Sequence, residues 1–148
     1  MKVKELIKNY ILNDVDLMWT DFCKEEGYNG IEDIYSLRED ESIGFSLPHD
    51  KTLYIKDFLF LSGFYYGEVW DRLKKGDLKE EDFDDDFLKN LKKCEDYDEW
   101  DLNDIVDLLA STDFYIDVAS EYFDELGFEL KFDDDEPYYD QHYYVVVK

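Results

Sequence analysis

The sequence lacks an apolar stretch long enough to cross a membrane. Its longest uncharged run, residues 58–67, has ten residues, about half of the ~20 that a spanning helix needs. Residues 1–8 contain three lysines and no uninterrupted apolar core, so they do not resemble a secretory signal. We therefore expect a cytoplasmic protein with no membrane contact.

Cysteine and cationic residues are also scarce. The two cysteines, Cys23 and Cys94, are far apart and form no Cys-x-x-Cys pair, which favours free thiols in a reducing compartment over a disulfide. The chain has 16 Lys and Arg residues against 40 Asp and Glu, a net charge of -24. Lysine outnumbers arginine 14 to 2, which weighs against halophilic adaptation, since that adaptation suppresses lysine.

No sequence motif of catalysis, nucleotide binding or metal binding is present. The chain contains no Gly-x-x-x-x-Gly-Lys-Ser/Thr, no Gly-x-Gly-x-x-Gly and no Gly-x-Ser-x-Gly, the patterns of phosphate loops, dinucleotide sites and serine hydrolases. The acidic run that starts at Asp82 begins like an EF-hand loop, but Phe87 and Lys93 occupy the positions of the turn glycine and the bidentate glutamate. We predict a protein that is not an enzyme and has no cofactor or metal site.

The apolar content is sufficient for a folded domain. The chain has 148 residues, 45% of them hydrophobic, with 13 Tyr, 11 Phe and 3 Trp. This is too apolar for a disordered acidic tail, and a domain of this length buries roughly two-thirds of its unfolded surface. We predict one domain that covers residues 1–148.

The hydrophobic periodicity predicts a mostly helical α+β fold. Apolar residues recur at three- and four-residue steps in residues 3–22, as one bent helix or two, and in residues 53–75, 79–94, 101–110 and 112–126. Gly27, Gly76 and Gly127 stand where helices end, and Ser111 or Thr112 caps the last helix. The period then changes to two, which predicts a C-terminal β-hairpin from residues 128–132 and 143–147, with a third short strand near Ile43.

A helix, a turn, a helix and a hairpin also follow each other in a winged helix-turn-helix. The helix that would enter the major groove, residues 112–126, carries five acidic residues and no Lys or Arg, and the tip of the wing is Asp133, Asp134, Asp135 and Glu136. Phosphate contacts require cations, so a duplex would be repelled by this surface. We predict no direct binding of nucleic acid.

The acidic residues concentrate in the second half of the chain. Residues 77–148 hold 25 acidic and 6 basic residues, whereas residues 1–76 hold 15 and 10. Tyr97, Phe83 and Tyr138 are apolar side chains near these acids that can anchor a partner. We predict that the main partner contact is the acidic face of two clusters, Glu80 to Asp86 and Glu95 to Asp107. The predicted partner-binding residues are Glu80, Glu81, Asp82, Asp84, Asp85, Asp86, Glu95, Asp96, Asp98, Glu99, Trp100, Asp101, Asp104, Asp133, Asp134, Asp135 and Glu136.

The amount of charge matches that of a nucleic acid. A net charge of -24 equals that of roughly 40 Å of duplex DNA, which is also about the diameter of a domain of this length. Solubility requires a net charge of only about 2 to 8. We therefore expect a decoy that binds the cationic groove of a basic nucleic-acid-binding protein, such as a nuclease or a CRISPR or restriction component.

In composition and size the chain is similar to the acidic anti-restriction and anti-CRISPR decoys of phages and mobile elements, known as DNA mimics. The similarity is one of class and rests on no motif. An immunity protein that neutralises a basic toxin such as a nuclease is an alternative, as is a small acidic adaptor or regulator. Aromatic runs at residues 64–66 and in the tail after Tyr138 are candidates for a homodimer contact.

Overall fold

A computed structural model of the chain describes residues 1–27, 42–48, 71–72, 75–133 and 142–147. These residues include four α-helices with both ends described, two 3-10 turns (Glu80–Asp82 and Tyr97–Glu99) and one three-stranded sheet. The mostly helical α+β fold with a C-terminal hairpin and a third strand is confirmed. The helices and strands are α1 (Val3–Glu25), β1 (Ser42–Pro48), α2 (Asp85–Lys92), α3 (Leu102–Leu109), α4 (Thr112–Glu125), β2 (Phe128–Asp133) and β3 (His142–Val147).

The first helix, α1, is a single helix of 23 residues. The sequence pattern allowed one bent helix or two helices here, and the structure has one. Its buried side chains recur at three- and four-residue steps, so one stripe of α1 supplies core contacts along its length. They are Val3, Leu6, Ile7, Ile11, Asp14, Val15 and Trp19.

The predicted helix at residues 53–75 lies mostly outside the described residues. Asp71, Arg72 and Lys75 are helical, and Gly76 follows with a φ of 68°. The Asp77 N–H donates to the Arg72 carbonyl at 2.8 Å, the bond that closes a helix when the next residue is left-handed. Because glycine adopts this φ without strain, Gly76 ends the helix as predicted.

The segment predicted as one helix at residues 79–94 is divided in two. Glu80–Asp82 form a 3-10 turn, and α2 starts only at Asp85. The Asp84 side chain accepts the Asp86 N–H at 2.9 Å, which makes Asp84 the N-cap of α2. The prediction of one continuous helix was therefore wrong, because two side-chain-to-backbone bonds interrupt it.

The chain groups into two compact units. The first unit comprises residues 1–11 and 51–115, and the second comprises residues 12–50 and 116–148. The prediction of one domain stays a prediction. The helix α3 belongs to the first unit and the hairpin β2–β3 to the second, so the elements in winged-helix order are shared between the two units.

In the first unit, aromatic rings pack around α2. The Phe83 and Phe87 rings stack with their centroids 5.9 Å apart, and the Tyr10 ring meets Phe87 edge-on at 5.0 Å. Ile105 and Leu109 of α3 are fully buried. The apolar side of each short helix thus faces the core, as the three- and four-residue spacing predicts.

The second unit is built on an aromatic cluster and the sheet. Trp19 lies 5.3 Å from the rings of Phe45 and Phe123 and 5.6 Å from Phe128, measured between centroids. The strand β3 lies between β1 and β2, antiparallel to both. In the hairpin, Phe128 pairs with Val147, and both are buried, so one face of the hairpin closes the core.

Within the described ranges, none of the helices combines the length and the apolar character that spanning a membrane requires.

Candidate functional site

The buried carboxylate of Asp82 has a structural role. Asp82 is 4% exposed; its Oδ1 accepts from Arg72 Nη1 at 2.5 Å and its Oδ2 accepts from the Lys79 N–H at 2.9 Å. The same Arg72 nitrogen donates to Glu81 Oε1 at 3.3 Å. Hydrogen bonds to Asp82 and then Glu81 raise the pKa of Arg72. Asp82 is inaccessible to a partner, so we remove it from the predicted surface.

The acids at the start of α2 lie among cations. Asp84 and Asp86 are joined by the capping bond, and negative charge in the first turn is stabilised by the helix dipole. Asp85 lines a shallow cavity of about 380 Å³ together with lysines of α2, Lys89, Lys92 and Lys93. Lys92 also pairs with Glu80 at 3.4 Å. The cluster at residues 80–86 is therefore partly neutralised by its surroundings.

The next acidic residues along the chain, Glu95 and Asp96, interact with the N-terminal end of α1. The Val3 N–H, the first of α1, donates to Asp96 Oδ1 at 2.8 Å, and Trp100 Nε1 donates to Asp96 Oδ2 at 3.1 Å. Burial by itself would raise the pKa of Asp96, but these hydrogen bonds outweigh it and lower the pKa. Asp96 thus caps a helix that begins 93 residues earlier in the chain.

Glu95 is also neutralised locally. Its carboxylate lies 3.5 Å from the Met1 amino group and 3.7 Å from Lys2 Nζ. These pairs are exposed, with about half to two-thirds of each side chain accessible, so each contributes little to stability. Together, Glu95 and Asp96 serve the first unit internally more than they offer free charge to a partner.

A second group of carboxylates follows and has no such compensation. Asp98, Glu99, Asp101 and Asp104 are exposed, and none forms an ion pair with any residue that the structure describes. Asp101 is the N-cap of α3 and accepts the Asp104 N–H at 2.8 Å. Asp107 is exposed too. We call these five residues the α3 acidic surface.

Asp107 is the last acid of the range 95–107 that the sequence predicts as part of the main contact. It follows Asp104 by three residues, and residues three apart are neighbours on a helix surface. The repeat 101, 104, 107 of acidic residues was available in the sequence as a signal. In contrast, no local pattern in the sequence indicates that Asp82 binds Arg72 or that Asp96 accepts the Val3 N–H.

The apolar side chains near the acids differ in accessibility. Phe83 is 3% exposed, so its prediction as a partner anchor was wrong: its ring belongs to the core around α2. Tyr97 is half-buried, and its hydroxyl donates to Glu80 Oε1 at 3.5 Å. Burial and then the Glu80 charge raise the pKa of Tyr97. Trp100 is half-buried beside the α3 acidic surface, which leaves part of its ring accessible.

The helix α4 carries further acids. Four of its five exposed carboxylates, all but Asp124, recur every four residues, and it has no basic residue in its last turn. Like charges at this spacing, and acids at a helix C-terminus, both destabilise a helix. These acids are Asp113, Asp117, Glu121 and Glu125.

The whole stretch that contains α3 and α4 is free of cations. Residues 94–130 hold 13 acidic residues and no Lys or Arg. This is the longest stretch of the acidic half without Lys or Arg. Asp133 ends β2, and its side chain is not described, while Asp134, Asp135, Glu136 and Tyr138 lie outside the described residues.

Metal-binding groups and thiols are the two kinds of reactive site that can be checked among the described residues. No three His, Cys, Asp or Glu side chains among them are grouped so that they could hold a metal ion. Cys23 and Cys94 are free thiols, and burial raises the pKa of both. A thiol with a raised pKa is protonated at neutral pH and is a poor nucleophile.

Comparison with known proteins gives no match: no family model, no curated protein and no solved structure is similar to this chain. The candidate site rests on its residues alone.

Proposed function

We propose that this protein is an acidic, non-enzymatic inhibitor of the DNA-mimic type, which occupies the cationic groove of a nucleic-acid-binding protein and blocks access of DNA or RNA. The observation that carries the proposal is the α3 acidic surface, five exposed carboxylates without ion pairs among the described residues. It lies in a stretch of 13 acids with no cation. The proposal places the protein in the cytoplasm with its target.

Uncompensated carboxylates favour a partner that brings cations. A net charge of -24 opposes folding through self-repulsion, and a cationic groove would relieve that repulsion on binding. The same charge accelerates the encounter between the two proteins. Tolerance of this unfavourable charge is easier to explain by a cationic partner than by solubility.

The structure favours one of the two predicted acidic clusters as the contact. Lys89, Lys92 and Lys93 surround the cavity beside Asp85, and a cationic groove would repel them. The α3 acidic surface has no lysine or arginine within its own segment. We therefore propose the α3 acidic surface as the centre of the contact, with the half-buried ring of Trp100 beside it as an apolar anchor.

The test begins with a partner found by competition. The immobilised protein is incubated with lysate of the source cells at low salt, with and without an excess of a short DNA duplex. A protein that is retained only without the duplex is purified, and a mobility-shift assay then follows displacement of labelled duplex from it. We expect the chain to displace the duplex and to cause no shift of the duplex by itself.

Two variants with equal net charge distinguish a local contact from overall charge. The first carries Asp98→Asn, Glu99→Gln, Asp101→Asn and Asp104→Asn on the α3 acidic surface. We expect it to associate roughly tenfold more slowly with the partner. The matched control neutralises four other exposed acids of the second unit and should change association far less: Asp21→Asn, Glu25→Gln, Glu26→Gln and Glu129→Gln.

Each alternative function has its own outcome in this assay. Equal loss in both variants would show that the α3 acidic surface is not the contact. A partner that binds the chain and the duplex at the same time would indicate an adaptor. A partner encoded beside this gene, and toxic when produced alone, would indicate an immunity protein.

A further inference from the structure

We draw no further inference here: the strongest candidate, the shallow cavity on α2 lined by Asp85, Leu88, Lys89, Lys92 and Lys93, carries none because Lys92 already pairs with Glu80, its lysines lie where the C-terminal end of the helix dipole attracts cations, and nothing in the structure shows what covers it.

Discussion

Both compact units contain more acidic than basic residues, but they differ in how they accommodate this excess. The first unit carries 19 acidic and 12 basic residues, and the second carries 21 and 4, which together make the 40 and 16 of the chain. In the first unit, cations and helix ends bind several carboxylates, including those of Asp82 and Asp96. The second unit, with a net charge of -17, is built on the aromatic cluster around Trp19.

This difference indicates what the acids do in each unit. Apolar burial does not depend on charge, so a core of stacked rings tolerates carboxylates on the outside of the same helices. Where a cation binds a carboxylate, that carboxylate stabilises the fold and is no longer available to bind a partner. A prediction of contact residues from acid density alone therefore includes structural carboxylates.

The largest effect is expected from the aromatic cluster of the second unit. Trp19→Ala removes a ring that contacts Phe45, Phe123 and Phe128, and should lower the free energy of unfolding by about 3 to 5 kcal/mol. Urea denaturation followed by circular dichroism measures it. Leu17→Ala on the same helix is the control, since Leu17 is 47% exposed, and should change stability by less than about 0.5 kcal/mol. Similar losses in both variants would contradict the role of the cluster.

The next effect tests whether the first unit depends on a buried carboxylate. Asp82→Ala leaves the Lys79 N–H without its acceptor and leaves Arg72 with Glu81 alone, and should cost about 1 to 3 kcal/mol, the range for a hydrogen-bonding group left unpaired. Glu81→Ala removes a carboxylate that pairs with the same guanidinium but is 68% exposed, and should cost less than about 1 kcal/mol. The two denaturation midpoints should therefore differ clearly, and equal midpoints would mean that burial of Asp82 is unimportant.

A smaller effect concerns the long-range cap of α1. Because the pKa of Asp96 is lowered in the folded protein, its contribution is fully present above its unfolded pKa of about 3.9 and is lost as pH falls through the folded value. The stability difference between the wild type and Asp96→Asn should thus be constant near neutral pH and shrink below about pH 4. Urea denaturation across pH, followed by circular dichroism, measures it. Asp98→Asn is the control, and a matching profile in that variant would exclude a specific role of Asp96.

Much of the fold could be predicted from the sequence because its signals are local. The spacing of apolar residues found α1, α3, α4 and the hairpin, and Gly76 marked a helix end. The division of residues 79–94 was missed because the Asp82 and Asp84 side chains accept the Lys79 and Asp86 N–H groups, bonds that hydrophobic periodicity does not register. The cap of Val3 by Asp96 was missed for the same reason.

The candidate site was predictable only as a region. The density of acids identified residues 80–86 and 95–107. The structure separates Asp82 and Asp96, whose carboxylates accept hydrogen bonds from Arg72 and from the Val3 N–H, from the α3 acidic surface, which is exposed without ion pairs among the described residues. This separation depends on which cations and backbone groups the fold brings near each carboxylate.

The smallest expected effect tests whether the acids of the second unit stabilise it at all. Glu125 is the last residue of α4, where a negative charge faces the negative end of the helix dipole, and Glu121 lies one turn before it. Glu125→Lys should therefore raise the free energy of unfolding by about 0.5 kcal/mol. The gain should decline as NaCl rises, since a Debye length of about 10 Å at 0.1 M salt screens exposed charges.

The control for this prediction is Glu129→Lys, an exposed position on the strand β2, outside the last turn of α4, with the same change in charge. Thermal unfolding of both variants at low and high salt separates the helix-end effect from the general relief of repulsion, which both variants share. A loss of stability in Glu125→Lys alone would mean that Glu125 supports the fold as Asp82 does. A gain would show that the second unit retains an acid at a cost to its own stability, so that its carboxylates, unlike Asp82 of the first unit, are not there to support the fold.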